Sequence, residues 1–126
     1  MTERDGIKFT ITRQTTNQIK ATMPVQSGIM DSYGAVHAKA VLWFAEATAA
    51  SLPPSGFKGE TQLISLCAGL VGDNSIKSFY ASSQYESRRG FEHIIRTKIT
   101  DQTGRLIADV TTNYKLSETV FSNHCN

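Results

Sequence analysis

The sequence predicts an α+β fold in which a curled antiparallel β-sheet wraps around one helix. Three observations predict it. Apolar and polar residues alternate in six separate segments. One stretch of fifteen residues without Gly or Pro, His37 to Ser51, interrupts them. The later alternating segments follow one another across short turn signals. An antiparallel sheet of this kind has a face that needs covering, and the single apolar helix is the only element available to cover it.

Each element has its own local reason. Ile7 to Thr12 alternates Ile7, Phe9 and Ile11 with polar residues. Gln18 to Val25 carries Ile19, Ala21, Met23 and Val25 on one face, and Pro24 closes that strand or sits at its edge. Gln26 to Val36 holds Gly28 and Gly34 and reads as a loop. From His37 to about Ser51 six alanines favour helix, and Leu42, Trp43 and Phe44 add bulk. The apolar residues lie nearly all round this helix, so it is expected to be buried. Leu52-Pro53-Pro54-Ser55-Gly56 stops it. Strands follow at Gln62 to Leu70, Ile76 to Glu86, Phe91 to Thr100 and Leu106 to Leu116. Turns are expected at Gly72-Asp73-Asn74, Arg88-Arg89-Gly90 and Asp101-Gln102-Thr103-Gly104, which makes these four strands a meander. Ser117 to Asn126 reads as a loose tail.

Composition narrows the function. A chain of 126 residues makes one domain over 1–126, with a core at about 6–116. At 40% hydrophobic and 19% charged it builds a core without disulfides and is not a disordered tail. The net charge of +2 gives no strong case for nucleic acid or an anionic membrane. The longest apolar run, Ala40 to Ala45, is far short of a membrane span, and the first residues lack the layout of a secretory signal. The two cysteines, Cys67 and Cys125, form no CxxC, so the expectation is no metal and a cytoplasmic location.

Glu46 is the anomaly. It stands mid-helix between Ala45 and Ala47, in the most apolar part of the chain, and a carboxylate expected there to be buried needs a partner or a task; the bland alternative is that it points through a gap to solvent or pairs with a basic residue. Asp31 and His37 sit where the loop enters the helix. His37 and Glu46 are nine residues apart, half a turn out of phase and roughly 13 Å along the axis, so they cannot converge within one helix. If both serve one site, two chains supply them. The free N–H groups at Ala38 and Lys39 form a partial positive end that can receive an oxyanion, faced by Glu46 of a partner chain.

Over about residues 6 to 116 the sequence resembles the hotdog-fold acyl-CoA thioesterases. It looks most like the phenylacetate-degradation (PaaI-type) branch, whose motif runs Asn-x-x-Gly-x-x-His-Gly-Gly with an acid nine residues past the His. Gly34, His37 and Glu46 match that spacing; Asp31 takes the Asn position, Ala38 the first Gly and Lys39 the second. Gly104-Arg105-Leu106-Ile107-Ala108 looks like the family's last hairpin. Asp31, Gly34 and Trp43-Phe44-Ala45-Glu46 resemble the 4-hydroxybenzoyl-CoA thioesterase branch instead, so a carboxylate stands at both branches' catalytic positions. Lys39 is a bulky, charged departure that could pair with a carboxylate, bind an acid group of the substrate, or obstruct the site.

The resemblance implies hydrolysis of thioesters of coenzyme A or a carrier protein, by a homodimer or a dimer of dimers. It implies that the Ala38 N–H polarises the carbonyl and that Glu46 of the opposite subunit is nucleophile or base. His37 would hold the thioester end, Asp31 would orient water or the carbonyl, and the family's Ser or Thr after the helix falls near Thr61. No cofactor is implied, coenzyme A being part of the substrate. One carboxylate plus an oxyanion donor is a sufficient kit for an electrophilic thioester carbonyl. The alternatives are a hotdog protein that binds an acyl ligand without turning it over, and a hotdog dehydratase. For the phosphates of coenzyme A the best cations are Arg88 and Arg89, beside Gly90, followed by Lys58. Trp43, Phe44, Phe79 and Tyr80 read as core or interface, His93 as a packed or edge histidine, and Cys67 as a small buried hydrophobe.

Overall fold

A computed structural model of the chain describes residues 2–4, 7–26, 38–67 and 75–116. Within these, the chain runs β1 (Thr2–Arg4), β2 (Ile7–Gln14), β3 (Gln18–Pro24), α1 (Ala38–Ala49), β4 (Phe57–Leu66), β5 (Ser78–Arg89), β6 (Glu92–Asp101) and β7 (Leu106–Leu116). The strands form one antiparallel sheet in the order β1-β2-β3-β5-β6-β7-β4. Register shifts in β2–β3, β4–β7, β5–β6 and β6–β7 bend the strands, and α1 packs into the concave side against β3, β5, β6 and β7.

The alternating residues face the helix as expected. Ile19, Ala21 and Met23 of β3, and Ile95, Thr97 and Ile99 of β6, are buried under it. Phe44, with no exposed surface, meets the edge of the Phe9 ring at 5.4 Å between centroids, and Trp43 meets the same ring at 5.6 Å. A second cluster at the end of α1 joins Ala49, Ile95 and Tyr114 to Leu52, Phe57 and Tyr85. Several hydroxyls inside are paired: Ser83 and Thr97 share a hydrogen bond at 2.7 Å, and the Thr48 hydroxyl donates to the Phe44 carbonyl at 2.8 Å. Pro24 ends β3, where its missing N–H breaks no further ladder.

Four expectations need correction. The four-strand meander holds only for β5, β6 and β7; β4 pairs with β7 at the far edge. The chain crosses from β3 through α1 to that edge, and the eleven residues from Cys67 to Lys77 then bring it back to lay β5 beside β3. β4 also begins at Phe57, well before Gln62. An edge strand is held by backbone pairing and exposes most side chains, so apolar alternation does not mark its start. Arg88 and Arg89 are not a turn. They end β5, and the turn is Gly90-Phe91, where Gly90 takes a positive φ of 50° suited to a two-residue hairpin. Phe91, expected to begin the next strand, is therefore in the turn and 60% exposed. Tyr80, read as core or interface, is 42% exposed on the outer face of the sheet, so it is not part of the core. β1 carried no apolar pattern and was not expected. No helix among the described residues is long and apolar enough to cross a membrane.

Candidate active site

Helix α1 buries one side and leaves another open. Ala40, Val41, Phe44, Ala45, Thr48 and Ala49 are buried, while Lys39 and Glu46 are exposed with Leu42 and Trp43 half-buried between them. These four recur at positions i, i+3, i+4 and i+7, one stripe of the helix. Lys39 and Glu46 thus lie within about 20° of each other and roughly 10 Å apart along the axis. The expected burial of Glu46 is corrected: Ala45 beside it is buried and Ala47 half-buried, but Glu46 itself points away from the sheet to solvent. Among the described residues it has no salt-bridge partner.

Glu46 stands between two packed ends of the helix. Trp43 and Phe44 pack on Phe9 of β2, whereas Ala49, one turn beyond Glu46, packs with Tyr114 of β7. Tyr114 is 6% exposed. Burial pushes its phenol up to about 12, and the negative charge of Glu46 and then the Tyr85 phenol push the same way. Two residues back along β7, Thr112 shares a hydrogen bond at 3.0 Å with Thr61 of β4. Tyr114 and the Thr61–Thr112 pair thus lie along the β4–β7 edge of the sheet.

Other predicted residues fall as follows. Ala38 is the first residue of α1, so its N–H belongs to the turn that has no partner within the helix. Asp31, Gly34 and His37 lie outside the described residues. Sheet register aligns Arg89, Glu92, Lys115 and Lys58 in one row across β5, β6, β7 and β4. Lys115 pairs with Glu92 at 3.9 Å. Arg88 belongs to the neighbouring row, with His93, Tyr114 and Gly59, and its guanidinium stands 4.7 Å from the centre of the Tyr85 ring.

His93 is a packed histidine, as read. It is 6% exposed, stacked on Phe57 at 4.5 Å and set edge-on to Tyr85 at 5.5 Å. Its Nδ1 is buried without a hydrogen-bond partner. Burial and then the Arg88 charge hold its pKa below the ordinary value, against the Gly90 carbonyl, which favours the charged form. Cys67 is half-buried, and its backbone N–H donates to the Ile107 carbonyl at 2.7 Å. Among the described residues no group of three or more His, Cys, Asp or Glu could hold a metal ion.

Tyr114, Thr112 and Lys115 were not singled out in the sequence. Their last-strand alternation marks which face each takes, but only the β4–β7 pairing puts them beside Thr61 and Lys58.

No protein-family model matches the chain, and no curated protein matches it in sequence. Solved structures do match. A hypothetical thioesterase protein from Streptococcus pneumoniae TIGR4, as a mutant, superposes with a TM-score of 0.72 at 16% identity, covering 87% of this chain and 90% of that one. The same protein with coenzyme A gives 0.68 at 16% identity, covering 87% and 89%. The PaaI protein of the E. coli phenylacetic acid degradation operon gives 0.69 at 15% identity, covering 86% and 80%. The chain has the hotdog fold.

Proposed function

We propose that the protein hydrolyses a thioester of coenzyme A or of a carrier-protein thiol, releasing a free acid and a thiol. The observation that carries this reading is the placement of Glu46: a carboxylate without a salt-bridge partner among the described residues, on the open stripe of α1. The fold supports it, since its relatives include proteins named as thioesterases, one of them crystallised with coenzyme A.

In the proposed mechanism the Ala38 N–H of one subunit polarises the thioester carbonyl, and Glu46 of the other attacks it or draws a proton from water. Attack by the Glu46 oxygen expels the thiolate and leaves a mixed anhydride, which water then opens to two carboxylates. In the water route, the proton taken by Glu46 passes to the leaving thiolate. Asp31 and His37 would orient water and hold the thioester end. The functional unit is a homodimer, and two dimers would associate further. Edge strand β4 favours such pairing: it has a neighbour on one side only among the described residues, and it exposes Leu63 at 43% and Ile64 at 52%. The phosphates of coenzyme A would meet the row of Arg89, Lys115 and Lys58, helped by Arg88.

A panel of acyl-CoA thioesters read with a thiol reagent tests the proposal. Thiol release with at least one acyl group is expected. Tight binding of acyl-CoA with no thiol release would favour a non-catalytic acyl-ligand protein instead. For the phosphate row, the double variant Lys58→Ala/Arg89→Ala is expected to raise KM for acyl-CoA about tenfold with kcat little changed, the pattern of lost ground-state binding. An unchanged KM removes the row from substrate binding.

A further inference from the structure

Lys39, Leu42, Trp43 and Glu46 form the stripe of α1 that the sheet leaves uncovered, with a charge at each end and two large apolar residues between. Among the described residues neither charge has an ion-pair partner. They cannot pair with each other within the helix: positions seven apart stand roughly 10 Å apart along the axis, and only those three or four apart meet. Along α1 and just past it, the positions three and four away hold Leu42, Trp43, Ala49 and Ala50, which carry no charge. Leu42 and Trp43 lend one side to the core, where Trp43 meets the Phe9 ring, and leave the rest open.

The stripe is its own complement. Lys39 and Glu46 stand the same distance, about 5 Å along the axis, on either side of a point midway between Leu42 and Trp43. A two-fold axis through that point, at right angles to the helix, turns a second copy end for end. Lys39 of each copy then comes level with Glu46 of the other, and Leu42 of each with Trp43 of the other. A parallel pairing would set lysine on lysine and glutamate on glutamate, so the charges select the antiparallel one. The two helix dipoles also run opposite ways in it.

We infer that a second copy of this chain covers the stripe in this way, and that Lys39 of each subunit is the counter-ion of Glu46 of the other. The inference deepens the proposed function and rests on it for the task of Glu46; the pairing itself rests on the stripe. Lys39 is then a positioning residue, whose ammonium balances the carboxylate and turns it toward the shared site. Covered by two helices, such a pair is screened by salt less than an exposed one. The same axis meets a demand of the proposed mechanism. Ala38 directly precedes Lys39, so seating Lys39 on the partner's Glu46 brings the free N–H end of the helix to the same carboxylate.

Disulfide trapping tests the pairing without reference to activity. In a chain whose Cys67 and Cys125 are replaced by Ala, the double variant Lys39→Cys/Glu46→Cys is oxidised and run on a non-reducing gel. A covalent dimer is expected, because these positions of opposite copies lie level on helices in contact, within reach of a disulfide. Lys39→Cys or Glu46→Cys alone is expected to stay a single chain, since each stands about 10 Å along the axis from its own copy, beyond what a disulfide spans. No dimer from the double variant, or a dimer from either single one, overturns the pairing. Charge reversal tests the counter-ion, read by sedimentation over a concentration series. Lys39→Glu sets carboxylate against carboxylate and is expected to raise the dimer Kd at least about tenfold, and adding Glu46→Lys to bring it back within about threefold. A Lys39→Glu dimer as tight as the wild type overturns the counter-ion role, and a wild type that stays monomeric overturns the whole inference. If the double cysteine variant crosslinks but the wild type releases no thiol from any acyl-CoA, the proposed hydrolysis fails and the pairing stands.

Discussion

Replacing Glu46 with Gln is expected to lower kcat for thioester hydrolysis by at least about a hundredfold, the low end for loss of a general base and well short of what loss of a nucleophile can cost. The substitution keeps size and hydrogen-bonding capacity and removes only the charge and basicity. Glu46 is exposed, so its removal leaves the buried contacts of α1 intact. Thermal unfolding is therefore expected to stay within a few tenths of a kcal/mol of wild type, as for surface positions generally. Glu46→Ala is expected to behave alike and to retain the proposed dimer. Thiol release at saturating acyl-CoA, measured beside a melting curve, separates the two quantities. Hydrolysis near the wild-type rate would remove Glu46 from the mechanism.

Phe44→Ala is expected to have the opposite signature. Phe44 stands two positions before Glu46 but points into the sheet, where its ring is fully buried against Phe9. Truncating such a ring costs about 3–5 kcal/mol, from lost transfer energy plus the cavity left behind. Domains of this kind are stable by roughly 5–15 kcal/mol, so the loss is a large share of the total. For a chain of this length the melting temperature is expected to fall by roughly 10–20 °C. A melting curve unchanged to within a few degrees would mean that the ring is not the anchor of α1 against β2. The two substitutions, two residues apart, divide the helix into a side that holds the fold and a side available for chemistry.

That division explains what could be read in the chain. Ile19, Ala21 and Met23, or Ile95, Thr97 and Ile99, announce their shared face by a period of two, because strand side chains alternate whatever the rest of the fold does. The helix announced itself by composition and by Leu52-Pro53-Pro54-Ser55-Gly56 after it. The acid nine residues past His37 was visible as a spacing. The exposure of Glu46 was not. An apolar surrounding in sequence says nothing of the angle a residue takes about the helix axis relative to a sheet whose strand order is unknown.

The strand order was misread for a related reason. Turn signals report that a chain reverses, not which neighbour it meets, so a four-strand meander and the observed placement of β4 against β7 are equally consistent with them. The difference is large for the site. With β4 beside β5, Gly59 and Thr61 would lie away from Tyr114 and Thr112; with β4 on β7, they are register partners. The cations follow the same rule. Arg89 and Lys58 were picked one by one, and long-range register is what sets them in a row with Lys115 and Glu92.

The sequence by itself determined the α+β class, the one helix, the faces of most strands and the carboxylate at its centre, because these depend on local periodicity and residue chemistry. Tertiary structure alone decided which edge β4 closes, that Glu46 is open to solvent, and that Tyr114 lies over Gly59. Those outcomes depend on pairings such as that of residues 59 and 114, which are far apart along the chain and meet only when the sheet order is set.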